Sequence, residues 1–212
     1  MRDIPVFTTE FGVASLVLKE IPYTQTAYIH LRATTEPLAL LDECVGFCRA
    51  VGVEKIYATG DNVPVCYPLY TEVVEMQAQK KDLEKSNLTL CLVQKETLEL
   101  WRNYYNDRMA DVPNAAWMDK SAAREVLKNG GGYFIQENDK TVGIGMVQGN
   151  VVMALASLVK GYGRQIVLAL ADLITDDVVR LEVASTNIPA VQLYKRLGFS
   201  AVGVKTTWYK IF

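Results

Sequence analysis

The segment Ile166-Val167-Leu168-Ala169-Leu170-Ala171-Asp172-Leu173 is apolar almost all the way around a helix. A helix with no polar face cannot lie at a surface and has to be enclosed between other layers, as a central helix of a layered α/β fold is. Half of the 212 residues are hydrophobic, enough apolar surface for one large or two small cores.

What flanks this helix sets its layers. Upstream, three short strands are expected in quick succession, Tyr133 to Gln136, Thr141 to Val147 and Val151 to Ala156, turned by Asn138-Asp139-Lys140 and by Gly149-Asn150. Before them come a strand from Leu88 to Val93, a helix from Glu96 with Leu98, Trp101 and Tyr105 on one face, and a short helix from Lys120 to Lys128 that stops at Gly130-Gly131-Gly132. Downstream lie a strand from Val178 to Ala184, a helix from Ile188 to Leu197 and a last strand from Val202 to Ile211. The order is βααβββαβαβ.

The first part of the chain is smaller. Phe11 to Ala33 alternates loosely, with a break at Ile21-Pro22, as in an antiparallel hairpin or meander; Pro37 then opens a helix to about Ala50, and Lys55 to Ala58 reads as a strand. The polar run Gln77 to Asn87 predicts a separator, with a boundary near residue 86 dividing a domain over 1–86 from one over 87–212. Arg180 through Pro189 echoes Lys55 through Pro64: each ends with Asn, an aliphatic residue and Pro, followed by a Leu-Tyr pair. Chance and a degenerate internal copy explain that echo about equally.

Composition excludes several functions. A net charge of −2 offers no field for nucleic acid or an anionic membrane. No apolar stretch approaches bilayer length and no signal peptide is evident, so the expectation is a cytoplasmic protein. The cysteines at positions 44, 48, 66 and 91 form no Cys-x-x-Cys pair, and His30 is the one histidine, which argues against a zinc site and against His-dependent hydrolases. Cys44 and Cys48 read as buried thiols on a helix face, and His30 as a strand residue.

Two constellations carry chemistry. In Lys160-Gly161-Tyr162-Gly163-Arg164, between a strand and a helix, unpaired helix-start amides and glycines without a Cβ would form an anion site. The second is Asn187-Ile188-Pro189-Ala190-Val191-Gln192-Leu193-Tyr194-Lys195-Arg196-Leu197-Gly198-Phe199. Asn187 is suited to cap the helix and Pro189 to its first turn, and Tyr194, seven residues after Asn187, returns to the same face after about two turns.

In that order, after a three-stranded meander, the pair resembles the GNAT acyltransferases. Their loop reads Arg or Gln, two residues, Gly, one residue, then Gly or Ala, and their closing helix reads Asn-x-x-Ala-x-x-x-Tyr followed by Gly-Phe. The resemblance covers about residues 87 to 212. It implies an α/β (α+β) fold with a mixed, mostly antiparallel twisted sheet flanked by helices, and acetyl-CoA as cosubstrate with no metal. It also implies a cofactor site made of Ala154, Leu155 and Ala156 on a strand that pairs with pantetheine and splays from the strand holding Val183. Lys160, Gly161, Tyr162, Gly163 and Arg164 would hold the pyrophosphate, Asn187 and Ala190 would flank the cofactor, and Tyr194 would be the general acid. Leu158 occupies the place of the family's Arg or Gln, and no general base is evident; Glu182 is the nearest strand carboxylate, and its expected role is structural.

The acceptor, a small-molecule or peptide amine, is expected between Trp101 and Trp117, near Tyr104, Tyr105, Asp107, Asp111 and Asp119. The first half is expected to be a partial copy of the fold without a cofactor loop, which either completes the acceptor pocket or serves a homodimer contact. Two other readings stay open: a non-catalytic CoA-binding or interaction module, and a nucleotide-binding α/β domain, which would need parallel strands between Tyr133 and Ala156.

Overall fold

The computed structural model describes residues 4–60, 62–64, 66–113 and 115–212. The chain divides into two compact units, one comprising residues up to Val73 together with Val204–Phe212, the other Val74–Gly203.

The first unit contains β1 (Val6–Thr9), β2 (Gly12–Val17), a one-turn helix α1 (Ile21–Thr24), β3 (Thr26–Thr34), α2 (Pro37–Ala50) and β4 (Lys55–Thr59). Strands β1, β2 and β3 pair antiparallel; the alternation from Phe11 to Ala33 predicts β2 and β3, whereas β1 lies ahead of it. β3 and β4 are parallel, joined through α2, and their ladder runs over five residues from Thr26↔Lys55 to His30↔Thr59. His30 is thus a strand residue. Helix α2 packs Leu40, Leu41, Cys44 and Cys48 against Ala27, Ile29, Leu31 and Ile56. Burial pushes the Cys44 thiol up to about 12 and that of Cys48 up to about 11, so both are inert buried groups at neutral pH.

The second unit contains β6 (Thr89–Leu92), α3 (Leu98–Met109), α4 (Lys120–Asn129), β7 (Gly132–Glu137), β8 (Lys140–Gln148), β9 (Val151–Ser157), α5 (Gly163–Asp172), β10 (Val178–Ala184) and α6 (Ile188–Arg196). Two long strands, β5 (Leu69–Gln79) and β11 (Ser200–Lys210), each begin in one unit and end in the other. Within the second unit the strands lie in the order β6-β7-β8-β9-β10-β5. Each pair from β6 to β9 is antiparallel, whereas β9 and β10 are parallel. That antiparallel meander removes the nucleotide-binding reading, which required parallel strands there.

The sheet of this unit separates two apolar layers. On one side α5 and α6 bury Ile135, Val152, Leu181 and Val183; on the other, Trp101 and Tyr105 of α3 and Ala123 of α4 pack on Phe134, Ile144 and Ala156. Every residue from Ile166 to Ala171 is buried, as the apolar helix requires. It lies very close to β8, because β8 presents Gly143 and Gly145: a Cβ on Gly143 would sit 2.3 Å from Ile166 Cδ1, and one on Gly145 2.5 Å from Leu170 Cδ1.

The polar run read as a separator behaves differently. Its first residues finish β5, whose Val73, Met76 and Ala78 are buried in alternation with Glu72, Glu75 and Gln77. That strand was not evident in the sequence because its alternation breaks between Val73 and Met76, where Val74 also packs on the core. The rest straps α5: Lys80 Nζ donates to the carbonyls of Asp172 and Ile174, and Ser86 Oγ donates to the carbonyl of Gln165. Cations at a helix C-terminus satisfy carbonyls that the helix leaves open.

Replacing Gly145 by Val should therefore lower the unfolding free energy by about 2–3 kcal/mol, through overpacking against α5. Urea unfolding measures this, with a lowered midpoint and an unchanged slope as the expected result.

Candidate active site

The site begins where β9 and β10 part. Their parallel ladder consists of Arg180↔Val151 and Leu181↔Val152 and goes no further among the described residues. At that point β9 carries a bulge: Val147 faces Val152 and Met146 faces Ala154, so Met153 is the extra residue. A bulge bends its strand and re-aims the residues beyond it. Beyond it, Ala154, Leu155 and Ala156 stay paired to β8 through Met146, Gly145 and Ile144, while the edge turned toward β10 has no ladder partner among the described residues. An extended ligand could complete it as a further strand would. Val183, the expected opposite wall, is buried on β10.

At the end of this edge the chain enters the glycine loop. Val142 accepts from both Leu158 N and Val159 N, which pins the start of the loop to β8. Gly161 has φ +99, a conformation that favours glycine, and a Cβ there would meet nothing within 4 Å. No side chain caps α5, and the N–H groups of Gly161, Gly163, Arg164 and Gln165 have no acceptor among the described residues. This is the geometry of an anion cradle: open amides at the positive end of a ten-residue helix, with no side chain over Gly161.

The loop's side chains are placed less simply. Arg164 forms a 2.8 Å ion pair with Glu84. Tyr162 donates its phenolic proton to Glu137, at the end of β7, and that bond holds the Tyr162 phenol above its ordinary value. Neither carboxylate was singled out from the sequence, since both are distant in the chain and give no local signal. Lys160 is exposed and has no ion pair among the described residues. Leu158 packs into the apolar cluster under α3.

Helix α6 closes the site from the α5 side, and a Cβ on Gly163 would lie 3.2 Å from Leu193 Cδ2. Asn187 caps the helix, its Oδ1 accepting from Ala190 N at 3.4 Å. The cap uses only the oxygen, so the amide NH₂ remains available to a ligand. Tyr194 is buried among the residues that include Val152, Val183 and Phe199, and its hydroxyl makes no hydrogen bond among the described residues. Burial pushes its phenol up to about 12. A phenol in such surroundings keeps its proton across the physiological range and has that proton to give.

On the opposite face, Trp101, Tyr105 and Met109 of α3 face Ile144, Gly145, Ala154 and Leu155 across a small depression, about 120 Å³ of empty space including the solvent above it. Trp101 is held by a 3.1 Å bond from Nε1 to the Tyr133 carbonyl. Asn106 binds the connection to α4 at both ends of its amide, donating to Met118 O at 3.0 Å and accepting from Met118 N at 2.8 Å. Sequence reading missed Asn106 because a buried Asn among charged helix residues has no periodic signature. Of the acids placed here, Asp119 is spent as the N-cap of α4, accepting from Ala122 N at 2.7 Å; an Asp just ahead of a helix start was the signal for that. Asp107 pairs with Arg108 at 3.6 Å, and Asp111 is exposed. The walls nearest β9 are thus apolar, not acidic. Glu182 alternates with buried Leu181 and Val183, one residue beyond the last β9–β10 pair, and so belongs to this face of β10.

Comparison with known proteins bears on the region just described. Residues 144–209, 66 of the 212, match the FR47-like protein family model. No curated protein matches the chain by sequence. Among solved structures, a GNAT-family acetyltransferase from Colwellia psychrerythraea is similar at 12% identity and a TM-score of 0.52, covering 97% of this chain and 84% of that one. A GCN5-related N-acetyltransferase from Anabaena variabilis gives 10% identity and a TM-score of 0.61 over 97% of this chain and 57% of its own. A tandem GNAT protein from the clavulanic acid biosynthesis pathway gives 14% and 0.52 over 93% and 78%. Identities this low establish the fold.

The shifted phenol makes a test by pH. With a folded value near 12 against 10.0 unfolded, the native state holds the proton more tightly, so stability is untouched below about pH 10 and falls as pH rises from there to 12. In Tyr194→Phe this share of the alkaline loss, roughly 2–3 kcal/mol at full effect, should vanish, while contributions from the other tyrosines cancel in the comparison. Unfolding free energies of both proteins across that window check it, and parallel curves would mean that Tyr194 titrates normally.

Proposed function

We propose that this chain, which belongs to the GNAT superfamily by its FR47-like segment and its fold, is an N-acyltransferase that takes its acyl group from an acyl-CoA, in the first instance acetyl-CoA, and passes it directly to an amine. The observation that carries the reading is the opened edge of β9 beyond Val152, which ends on the free amides of Gly161, Gly163 and Arg164.

The residues fit the cosubstrate. The unpaired edge at Ala154, Leu155 and Ala156 offers backbone donors and acceptors to an amide-bearing arm, and the loop amides suit a diphosphate. Acetyl-CoA brings a thioester whose carbonyl carbon is open to attack by an amine. The chain's own contribution is to hold the arm in line along β9, exclude water, and keep a proton at Tyr194 Oη for the sulfur. As the carbon–sulfur bond breaks, negative charge builds on sulfur in the same dry surroundings that raise the phenol, which makes the sulfur a stronger base than it is in water. No side chain forms a covalent intermediate in this scheme: the amine nitrogen bonds to the carbonyl carbon as the carbon–sulfur bond breaks, Tyr194 Oη gives its proton to the sulfur, and the proton shed by the nitrogen returns through water to the Tyr194 oxygen, leaving an amide and the CoA thiol. The amine approaches from the α3 face, where the lining of Trp101, Tyr105 and Met109 favours an acceptor with an apolar group next to its nitrogen.

The first unit supports a reading as a degenerate copy of the second. Both contain an antiparallel pair followed by a parallel strand through a helix, β2-β3-α2-β4 in one and β8-β9-α5-β10 in the other. The strands of the sequence echo, β4 and β10, are the ones that correspond. In the first unit β3 and β4 stay paired over five residues and no glycine loop precedes α2, so that copy offers no cofactor cleft.

One observation favours a second reading, a module that binds CoA without catalysis: Leu158 supplies no polar group at the start of the loop. Titration with CoA, followed by acetyl-CoA turnover on a panel of primary amines, separates the two. On the main reading Tyr194→Phe lowers kcat by about 10²-fold or more and leaves CoA affinity within about twofold of the parent, less than 0.5 kcal/mol. Undiminished turnover by this variant sinks the proton-donor role, and binding without turnover on any amine leaves the module.

A further inference from the structure

We infer that Arg108, near the end of α3, supplies a further cation to the glycine loop, and that it binds the diphosphate of CoA together with the loop amides. The inference rests on the CoA-binding reading above and adds to it a residue from outside the loop.

Lys160 and Arg164 are the cations of the glycine loop, and Glu84 and Glu137 are the carboxylates that touch its side chains, Glu84 on Arg164 and Glu137 on Tyr162. Two positive and two negative groups leave no net charge. Arg164 is moreover occupied, at 2.8 Å from Glu84. A diphosphate bound here would meet dipoles, one flexible lysine and two nearby carboxylates, which is a weak field for a multiply charged anion.

Arg108 reaches the loop from another element. Its Nη2 donates to the carbonyl of Leu158 at 3.3 Å, 50 residues away in sequence. Leu158 stands three positions before Gly161, and its own N–H is fixed to Val142. The bond therefore ties a guanidinium to the rigid start of the loop. An arginine in a last helical turn often just satisfies its own helix's carbonyls; Arg108 bonds the carbonyl of Leu158 instead. Its other partner, Asp107, lies 3.6 Å from Nε and is well exposed, so water screens that pair and the second terminal nitrogen stays open. Guanidinium is also the cation best matched to phosphate oxygens, because its planar fork donates to two at once.

The test compares CoA with pantetheine, which has the same arm and no phosphate, by titration calorimetry on the whole chain. Arg108→Ala should weaken CoA binding about tenfold, less at high salt, and leave pantetheine binding unchanged. Arg108→Lys should recover part of the lost affinity. Equal affinity of the parent protein and Arg108→Ala for CoA would overturn the inference. So would equal loss for CoA and pantetheine, which would make Arg108 a structural brace of the loop. A parent protein that binds neither compound would remove the CoA reading itself, and this inference with it. Because Arg108 is about half exposed, at 46% of its side chain, the variants should fold, and matching thermal unfolding curves verify that.

Discussion

The close seat of α5 on β8 is the constraint on which the rest of the second unit depends. A helix buried all round can come this near a sheet only where the strand beneath has no side chains, and Gly143 and Gly145 provide that place opposite Ile166 and Leu170. The seat sets where the helix begins, and so places the open amides of its first turn at the end of β9. Its far end is fixed by Lys80 on the terminal carbonyls. A connection clamped at both ends leaves little freedom in how β10 returns beside β9.

The two units show what this achieves. Each uses a helix to join two neighbouring parallel strands, yet β3 and β4 are laddered over five positions while β9 and β10 keep two. The difference lies in β9, where the bulge at Met153 turns the strand just as the ladder stops. An unpaired strand edge inside a protein normally costs free energy, because buried amides and carbonyls lose water without gaining a partner. A ligand that pairs with the backbone removes this cost, so the edge is a disadvantage to the empty fold and an advantage in binding.

Electrostatically, the two ends of the opening differ. At the loop Lys160 and Arg164 are matched by Glu137 and Glu84, so the positive potential of the loop itself comes from backbone dipoles. At α6 the controlling effect is desolvation, which keeps the Tyr194 phenol protonated far above neutral pH. The α3 side is apolar, closed by Trp101 and Tyr105 and stiffened by Asn106. Of the acids expected near the acceptor, Asp119 is a helix cap, Asp107 belongs to an exposed ion pair and Asp111 is an exposed carboxylate.

The sequence by itself determined what short-range forces determine. The start of α6 at Asn187, its end at Gly198 with φ +94, the open Gly161 and the burial of α5 follow from hydrogen bonds, backbone sterics and hydrophobicity within a few residues of each other. The Gly161–Gly163 loop and the Asn187–Phe199 helix are readable for the same reason, since each is specified by residues close together in the chain. Tertiary structure alone decided the matters that depend on distant partners. Strand β5 runs on into the polar segment to Gln79, with Met76 and Ala78 buried, and β11 returns the chain to the first unit. Arg164 is engaged by Glu84, and Arg108 reaches the loop from α3. Charged side chains are long and water-soluble, so their partners are chosen by the fold that brings them within reach, and no spacing along the chain records that choice.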